Sequence, residues 1–264
     1  MNVETDELIQ VNREGTVATI LLNRPSKRNA MSYSMWAGLE VAAAQLGIDA
    51  AIRVVVLRGV GDHFCAGADI NELSVMRSDG ELTFAEVNLA AENALARLPK
   101  PTIAFISGDC IGGGCALAID CDLRIATTDA RFGITPAKLG IVYPAASLER
   151  ATHLLGPAVT KRLLFTGDLI GAEQALRIGL IDEVVDVADA EDRLATLTGV
   201  LAARSLLTQA ATKSMVAAVV AHGHVPEALQ SQWIEAAGSA SDGAEGIAAF
   251  VEKRQARFTW SGAQ

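Results

Sequence analysis

The sequence predicts an α/β protein that ends in a helical region. Runs of β-branched and aliphatic residues, "TVATILL", "IRVVVLRG", "PTIAFISG" and "LRIATT", alternate with segments whose apolar residues are spaced as on a helix. After "IDEVVD" no further such run occurs, and from Ala190 onward only helical patterns remain. Half of the 264 residues are hydrophobic but only 5% are aromatic. A sizeable core is therefore built from aliphatic side chains and closely packed, alanine-rich helices. Alternation of strand and helix implies parallel pairing through crossover connections.

Each element has its own signal. "TVATILLNRP" alternates and then meets Pro25, which reads as a strand and its exit loop. "SMWAGLEVAAAQL" has helical spacing, and "IRVVVLRG" is a buried strand ending at Gly59. "GDHFCAGAD" is a loop of small residues. "FAEVNLAAENALARL" is an amphipathic helix stopped by Pro99 and Pro101. "PTIAFISG" is the next strand and delivers the chain to "DCIGGGCALAIDCD", where a helix follows the glycines. The short strand "LRIATT" and the segment "RFGITPAKLGIVYP" come next. From about Ala145 helices dominate, with "IDEVVD" as the last strand and breaks near Gly223–Pro226 and Gly238–Gly243. No linker or fixed-period repeat divides the chain.

A formal charge of −9 disfavours nucleic acid and polybasic membrane contact as partners, since both require a positive surface. No long uninterrupted apolar run suggests a membrane span. "MNVETDELIQVN" lacks the basic start and apolar stretch of a secretory signal. Cys65, Cys110, Cys115 and Cys121 form no C-x-x-C pair and have no His at zinc-like spacing. They read as small buried hydrophobes in a reducing cytoplasm, with no metal site. Nucleotide-loop, nucleophile-elbow and zinc-protease motifs are absent from the sequence.

Two loops share one design. "FCAGAD" and "CIGGGCAL" each follow a strand and put small residues where a helix begins. The first N–H groups of a helix have no internal partner and carry partial positive charge. Glycine there either permits close helix–sheet packing or lets a ligand oxygen reach the backbone.

The segments "LNRPSKRNAMS", "HFCAGADINEL", "KPTIAFISGDCIGGGCALAIDCDLRIAT", "RFGITPAKLGIVYP", "LLFTGDLIGAEQALRIGLIDEVV" and "EGIAAFVEKRQARF" resemble, in order, motifs of the enoyl-CoA hydratase/isomerase (crotonase) superfamily. The resemblance spans nearly the whole chain. It implies a spiral of β-β-α turns forming two nearly perpendicular sheets over residues 1–195, and a helical region over 196–264 that trimerises and covers the CoA site. A homotrimer, or a hexamer of two stacked trimers, is the expected assembly.

The resemblance further implies that the backbone N–H groups of Ala68 and Gly113 form an oxyanion hole for a thioester. Lys27 and Arg28 then lie beside the CoA phosphates and adenine. Ala66, Ala68, Asp69 and Ile70 fall in the loop that contacts adenine and pantetheine. Phe250 and Lys253 match positions that close over CoA from a neighbouring subunit. CoA enters as part of the substrate, with no separate cofactor. The two positions at which hydratases of this family carry glutamate are Ala116 and Ala137 here, so the two-glutamate hydration route lacks its acids.

Tyr143 is the polar side chain best placed to act instead. "TPAKLGIVY" resembles the methylmalonyl-CoA decarboxylase branch, although that branch generally has His at the place of Ala68 and an acid at the place of Ala116. Asp69 reads as a cap or turn contact, and Asp120 and Asp122 as helix-end residues. Glu149 is a residue that could reach the cavity mouth. Glu92 and Asn93 read as a solvated face of a helix that often walls the cavity in this family, and His63 as part of an exposed loop. Three functions follow: a hydratase or isomerase of enoyl-CoA, a non-catalytic acyl-CoA binding protein, and a malonyl-type CoA decarboxylase using Tyr143.

Overall fold

A computed structural model describes residues 8–73 and 82–262. The chain opens with an antiparallel hairpin of β1 (Ile9–Glu14) and β2 (Val17–Leu22), turning at Gly15 with a φ of 57°. The alternating pattern predicts a first strand only from Thr16, and "IQVN" lies before it; residues 1–7 lie outside the described ones. The strand was missed because β1 is the edge of its sheet. Only Ile9 along it is fully buried, and an edge strand with polar outer residues is protected against pairing with other chains.

Helix α1 (Tyr33–Ile48) follows a short 3-10 turn at Pro25–Lys27. Ser32 caps it by accepting from Met35 N at 3.2 Å. At its far end buried Lys100 donates to Leu46 O and Asp49 O, both at 2.5 Å, and so satisfies the last carbonyls. Strand β3 (Val54–Gly59), the four-residue α2 (Ile70–Leu73) and α3 (Phe84–Ala96) come next. A reciprocal capping box between Thr83 and Glu86 starts α3.

The middle of the chain winds regularly. β4 (Thr102–Ile106), β5 (Asp109–Ile111) and α4 (Gly113–Asp120) make one turn. β6 (Leu123–Thr127), β7 (Arg131–Gly133) and α5 (Ala145–Thr166), broken at Gly156, make the next. β8 (Ile170–Gly171), α6 (Ala172–Arg177) and β9 (Glu183–Val185) complete the spiral. The first two turns each lay one strand in each of two sheets and then add a helix, and the last puts its helix between the strands. The large sheet has the order β1-β2-β3-β4-β6-β9 and is parallel from β2 onward. The small sheet is β5-β7-β8. Its strands, three residues long or fewer, carry too little pattern to be read from the sequence.

The large sheet is covered on both faces, which is why its central strands read as continuous apolar runs. One face packs on Met35, Trp36, Leu39, Phe64, Leu95 and their neighbours in the main core. The other carries Val54, Val56, Ile103, Phe105 and Ile125 against Ala190 and Leu194 of α7 (Ala190–Ala202). The remaining helices are α8 (Leu206–His222), α9 (Glu227–Ser239) and α10 (Asp242–Glu252). Buried Asp242 ties the tail down, accepting from Ser205 Oγ at 2.7 Å and Thr259 N at 3.0 Å. No residue of α9 is buried, and Ile234, Ile247, Phe250 and Val251 are all exposed. Among the described residues no helix is long and apolar enough to cross a membrane.

Candidate active site

The two glycine loops are zipped together by backbone. Cys65 N donates to Asp109 O and Ile111 N to Cys65 O, each at 2.9 Å, so the first loop runs beside β5. On its other side Met31 N donates to Gly67 O at 2.7 Å and Asp69 N to Met31 O at 2.8 Å. In that parallel bridge the N–H of Ala68 itself points away from Met31. Gly112 adopts a φ of 55° and turns the chain into α4, which leaves Gly113 as the first helical residue with an orphan N–H. A Cβ added to Gly113 would lie 3.5 Å from Ala68 N and 3.3 Å from Trp36 Cζ2. The two amides therefore border one small space, which a side-chain carbon at Gly113 would crowd.

That space belongs to a cavity of about 270 Å³. Ala66, Ala68, Gly112 and Gly113 form one side, and buried Trp36 and Ala116 pack beside them. Ile70, Leu73, Leu139, Ile141 and Val142 make an apolar rim. The polar wall consists of Asn88 and Glu92 from α3, Thr135, Tyr143 and Ser147. A larger hollow, about 550 Å³, lies at Trp233 and Trp260 and contains none of the residues singled out in the sequence.

Glu92 corrects the sequence reading. It is 2% exposed and lines the cavity instead of facing solvent. Its carboxylate accepts from Asn88 Nδ2 at 3.0 Å and Ser147 Oγ at 2.8 Å. Arg150 lies 3.5 Å from it, also pairs with Asp120 Oδ1 at 3.0 Å, and donates to Asn93 Oδ1 at 2.5 Å. Three helices thus meet on one guanidinium. Burial pushes the Glu92 carboxyl above its ordinary range, against the opposing pull of Ser147, Asn88 and Arg150. Asp120 is pushed well up by burial and then by the nearby Glu92 charge, and its Oδ2 is buried without a partner. Ser147 and Arg150 escaped sequence reading, which had selected the adjacent Glu149; Glu149 is exposed and does not line the cavity.

These raised values have a sign. A carboxyl that binds its proton more tightly folded than unfolded stabilises the fold at low pH and loses that contribution as pH rises. The unfolding free energy should fall from about pH 4.3, the ordinary glutamate value, through the raised folded values. E92Q should flatten this dependence, because it removes one such group and relieves Asp120 of its neighbour. Urea titrations of both proteins across pH would show parallel curves if the two carboxyls were uncoupled from folding.

Tyr143 lies on the cavity as the sequence reading requires. Its hydroxyl is buried without a partner, and burial holds it far above the usual phenol range, so it is a neutral donor. Ala116 lines the wall, whereas Ala137 is exposed on the 3-10 turn Pro136–Lys138, whose Pro136 touches the cavity. Asp69 does not reach the cavity: Arg24 pairs with it at 2.7 Å and pulls its carboxyl down, and it caps Asn71. Ile70 is on the rim. Lys27 and Arg28 are exposed on the first 3-10 turn, and Arg28 also bonds Asp109 at 3.1 Å. Phe250 and Lys253 are exposed at the end of α10, outside this chain's own cavity. Asp122 accepts from Thr102 N at 2.8 Å and is structural. His63 is partly buried and accepts from Asp109 N at 3.0 Å. All four cysteines are free and buried, and burial pushes Cys65 up to about 12.

Comparison with known proteins gives this geometry its context. The enoyl-CoA hydratase/isomerase family model matches residues 12–261. The crotonyl-CoA hydratase of Syntrophomonas wolfei is 31% identical, over 96% of this chain and 98% of that protein. The crystal structure of an enoyl-CoA hydratase/isomerase family protein from Hyphomonas neptunium superposes with a TM-score of 0.89 at 35% identity, covering 97% of this chain and 99% of the other. That of an enoyl-CoA hydratase from Bacillus anthracis gives 0.88 at 30% identity, covering 96% and 99%. With this fold, and with a match across almost its whole length, the chain belongs to the enoyl-CoA hydratase/isomerase family.

Proposed function

We propose that the protein is an enzyme that binds an acyl-CoA thioester and stabilises its enolate, acting as a hydratase or isomerase of enoyl-CoA. The observation that carries this reading is that Ala68 and Gly113 line one cavity, with an ideal Cβ at Gly113 3.5 Å from Ala68 N. A thioester oxygen placed there accepts two hydrogen bonds. Both strengthen as negative charge builds on it, which lowers the barrier to enolate formation.

The acyl group occupies the apolar cavity and CoA extends along Ala66 and Ile70 toward Lys27 and Arg28. In a protein of net charge −9, such local cations are what a polyanionic nucleotide requires. Phe250 and Lys253 cover the CoA of a neighbouring subunit in a homotrimer or a dimer of trimers. The exposed apolar residues of α9 and α10 support that assembly. Residues 196–264 are then the trimerising region on a spiral core of 1–195, and the cytoplasm is the proposed location. Because position 116 is alanine on the cavity wall, hydration by two glutamates at the family positions is not the route.

The purified protein should convert members of an enoyl-CoA panel, by water addition or double-bond migration, as followed by chromatography and mass spectrometry. Tight binding of every ester with no conversion would leave a binding protein and end the enzymatic reading. A second reading rests on Tyr143. Its buried, unpartnered hydroxyl on the cavity could donate to the carboxylate or enolate of a malonyl-type ester. Carbon dioxide release that Y143F loses would establish it.

A further inference from the structure

We propose that Glu92 is the catalytic carboxyl of this site, carrying the proton to and from the carbon next to the thioester. The inference rests on the reading of the cavity as a thioester site. Glu92 is the one carboxyl among the described residues lining the cavity that also presents the Ala68 and Gly113 amides. It reaches that wall from α3, a helix different from the two segments that place Ala116 and Ala137.

Its surroundings suit proton transfer. Asn88 and Ser147 fix the plane of the carboxylate. The groups that face it are Asn88 on its own helix, Ser147 and Arg150 from α5, Asp120 at the end of α4 through Arg150, and Tyr143 on the cavity. Two carboxyls share one guanidinium, so the cluster holds a proton that exposed carboxyls would release. The buried Oδ2 of Asp120, without a partner, is a place for that proton to rest. Glu92 can then be the carboxylate while Asp120 is neutral. A base whose hold on a proton is strengthened by burial is what general acid–base catalysis uses.

The step balances with one carboxyl. Glu92 takes the α proton: the C–H bond breaks, an O–H bond forms on Glu92, and the electron pair moves into the thioester. The negative oxygen is held by Ala68 and Gly113. Returning the proton to the α carbon restores the substrate. Returning it to the γ carbon of a 3-enoyl thioester shifts the double bond to position 2, with no other reactant.

The test is hydrogen–deuterium exchange at the α carbon of butyryl-CoA in D₂O, read by mass spectrometry, with the dissociation constant measured beside it. A saturated ester cannot be hydrated, so exchange isolates the proton step. The native protein should exchange the α hydrogen, and E92Q should slow exchange by about 10²–10⁴-fold with butyryl-CoA still bound. S147A removes a donor that favours the carboxylate, so it should keep exchanging with the midpoint of its pH profile moved upward. Exchange by E92Q at the native rate, or an unmoved profile in S147A, overturns the role of Glu92 and leaves the thioester site standing. Native protein that binds butyryl-CoA and exchanges nothing overturns the enolate reading itself, and Glu92 with it.

Discussion

Gly113→Val is expected to lower kcat/KM for an enoyl thioester by about 10²–10³-fold, the effect of losing one oxyanion donor. The first added carbon would stand 3.5 Å from Ala68 N and 3.3 Å from the Trp36 ring. Two further methyls then fill the space in front of both amides. The backbone of Gly113 has no left-handed φ, and it begins a helix, so valine is tolerated there conformationally. The loss should therefore fall mainly on turnover, with the melting temperature lowered only by the crowding of one side chain against Trp36. Steady-state kinetics beside a thermal melt check this, and native turnover by a folded Gly113→Val protein would remove the two amides from the mechanism.

One residue on, the expected effect changes from chemistry to stability. Gly114→Ala should cost about 1–3 kcal/mol, as overpacking of a filled core does. Its added carbon collides with Cys65 O and comes within 3.0 Å of Cys65 Cβ. Both the N–H and the carbonyl of Cys65 are bonded to β5, at Asp109 and Ile111, so the neighbour is backbone that cannot swing aside. Relief requires α4 to part from the first loop, which also separates Gly113 from Ala68. Urea midpoints should drop while Gly199→Ala, in α7 with nothing within 4 Å of the new carbon, stays neutral or gains slightly. An unchanged midpoint for Gly114→Ala would show that the loops are not pinned as described.

The glycine loops could be read because their signal is local: a strand, small residues, then a helix start. β3, β4 and β6 were legible as apolar runs of a sheet covered on both faces, and β2 by its alternation. β5, β7 and β8 were not, because strands this short are defined by their partners and not by any period of their own. Glu92 was hidden differently. Val87, Ala91 and Leu95 mark the buried stripe of α3, and Glu92 sits on its flank, where exposure and burial look alike in sequence. What turns it inward is Ser147 and Arg150, more than fifty residues later. Tyr143 and Ala116 could be placed on the cavity because the glycine loop and the Pro136 turn carry enough pattern to align. The sequence points to Glu149 and not to Ser147 because the rotation of α5 is set by packing alone.

Arg150 also divides the pocket by how readily its parts can change. The charged side is a rivet through α3, α4 and α5, and altering Arg150 leaves two buried carboxyls without their shared cation. Ile70, Leu139, Ile141 and Val142, by contrast, are partly open to solvent and aliphatic. Swapping them for bulkier or smaller residues resizes the entrance without touching a single ion. Under the proposed thioester function, acyl-chain preference is therefore tunable at the mouth, while the inner wall stays locked.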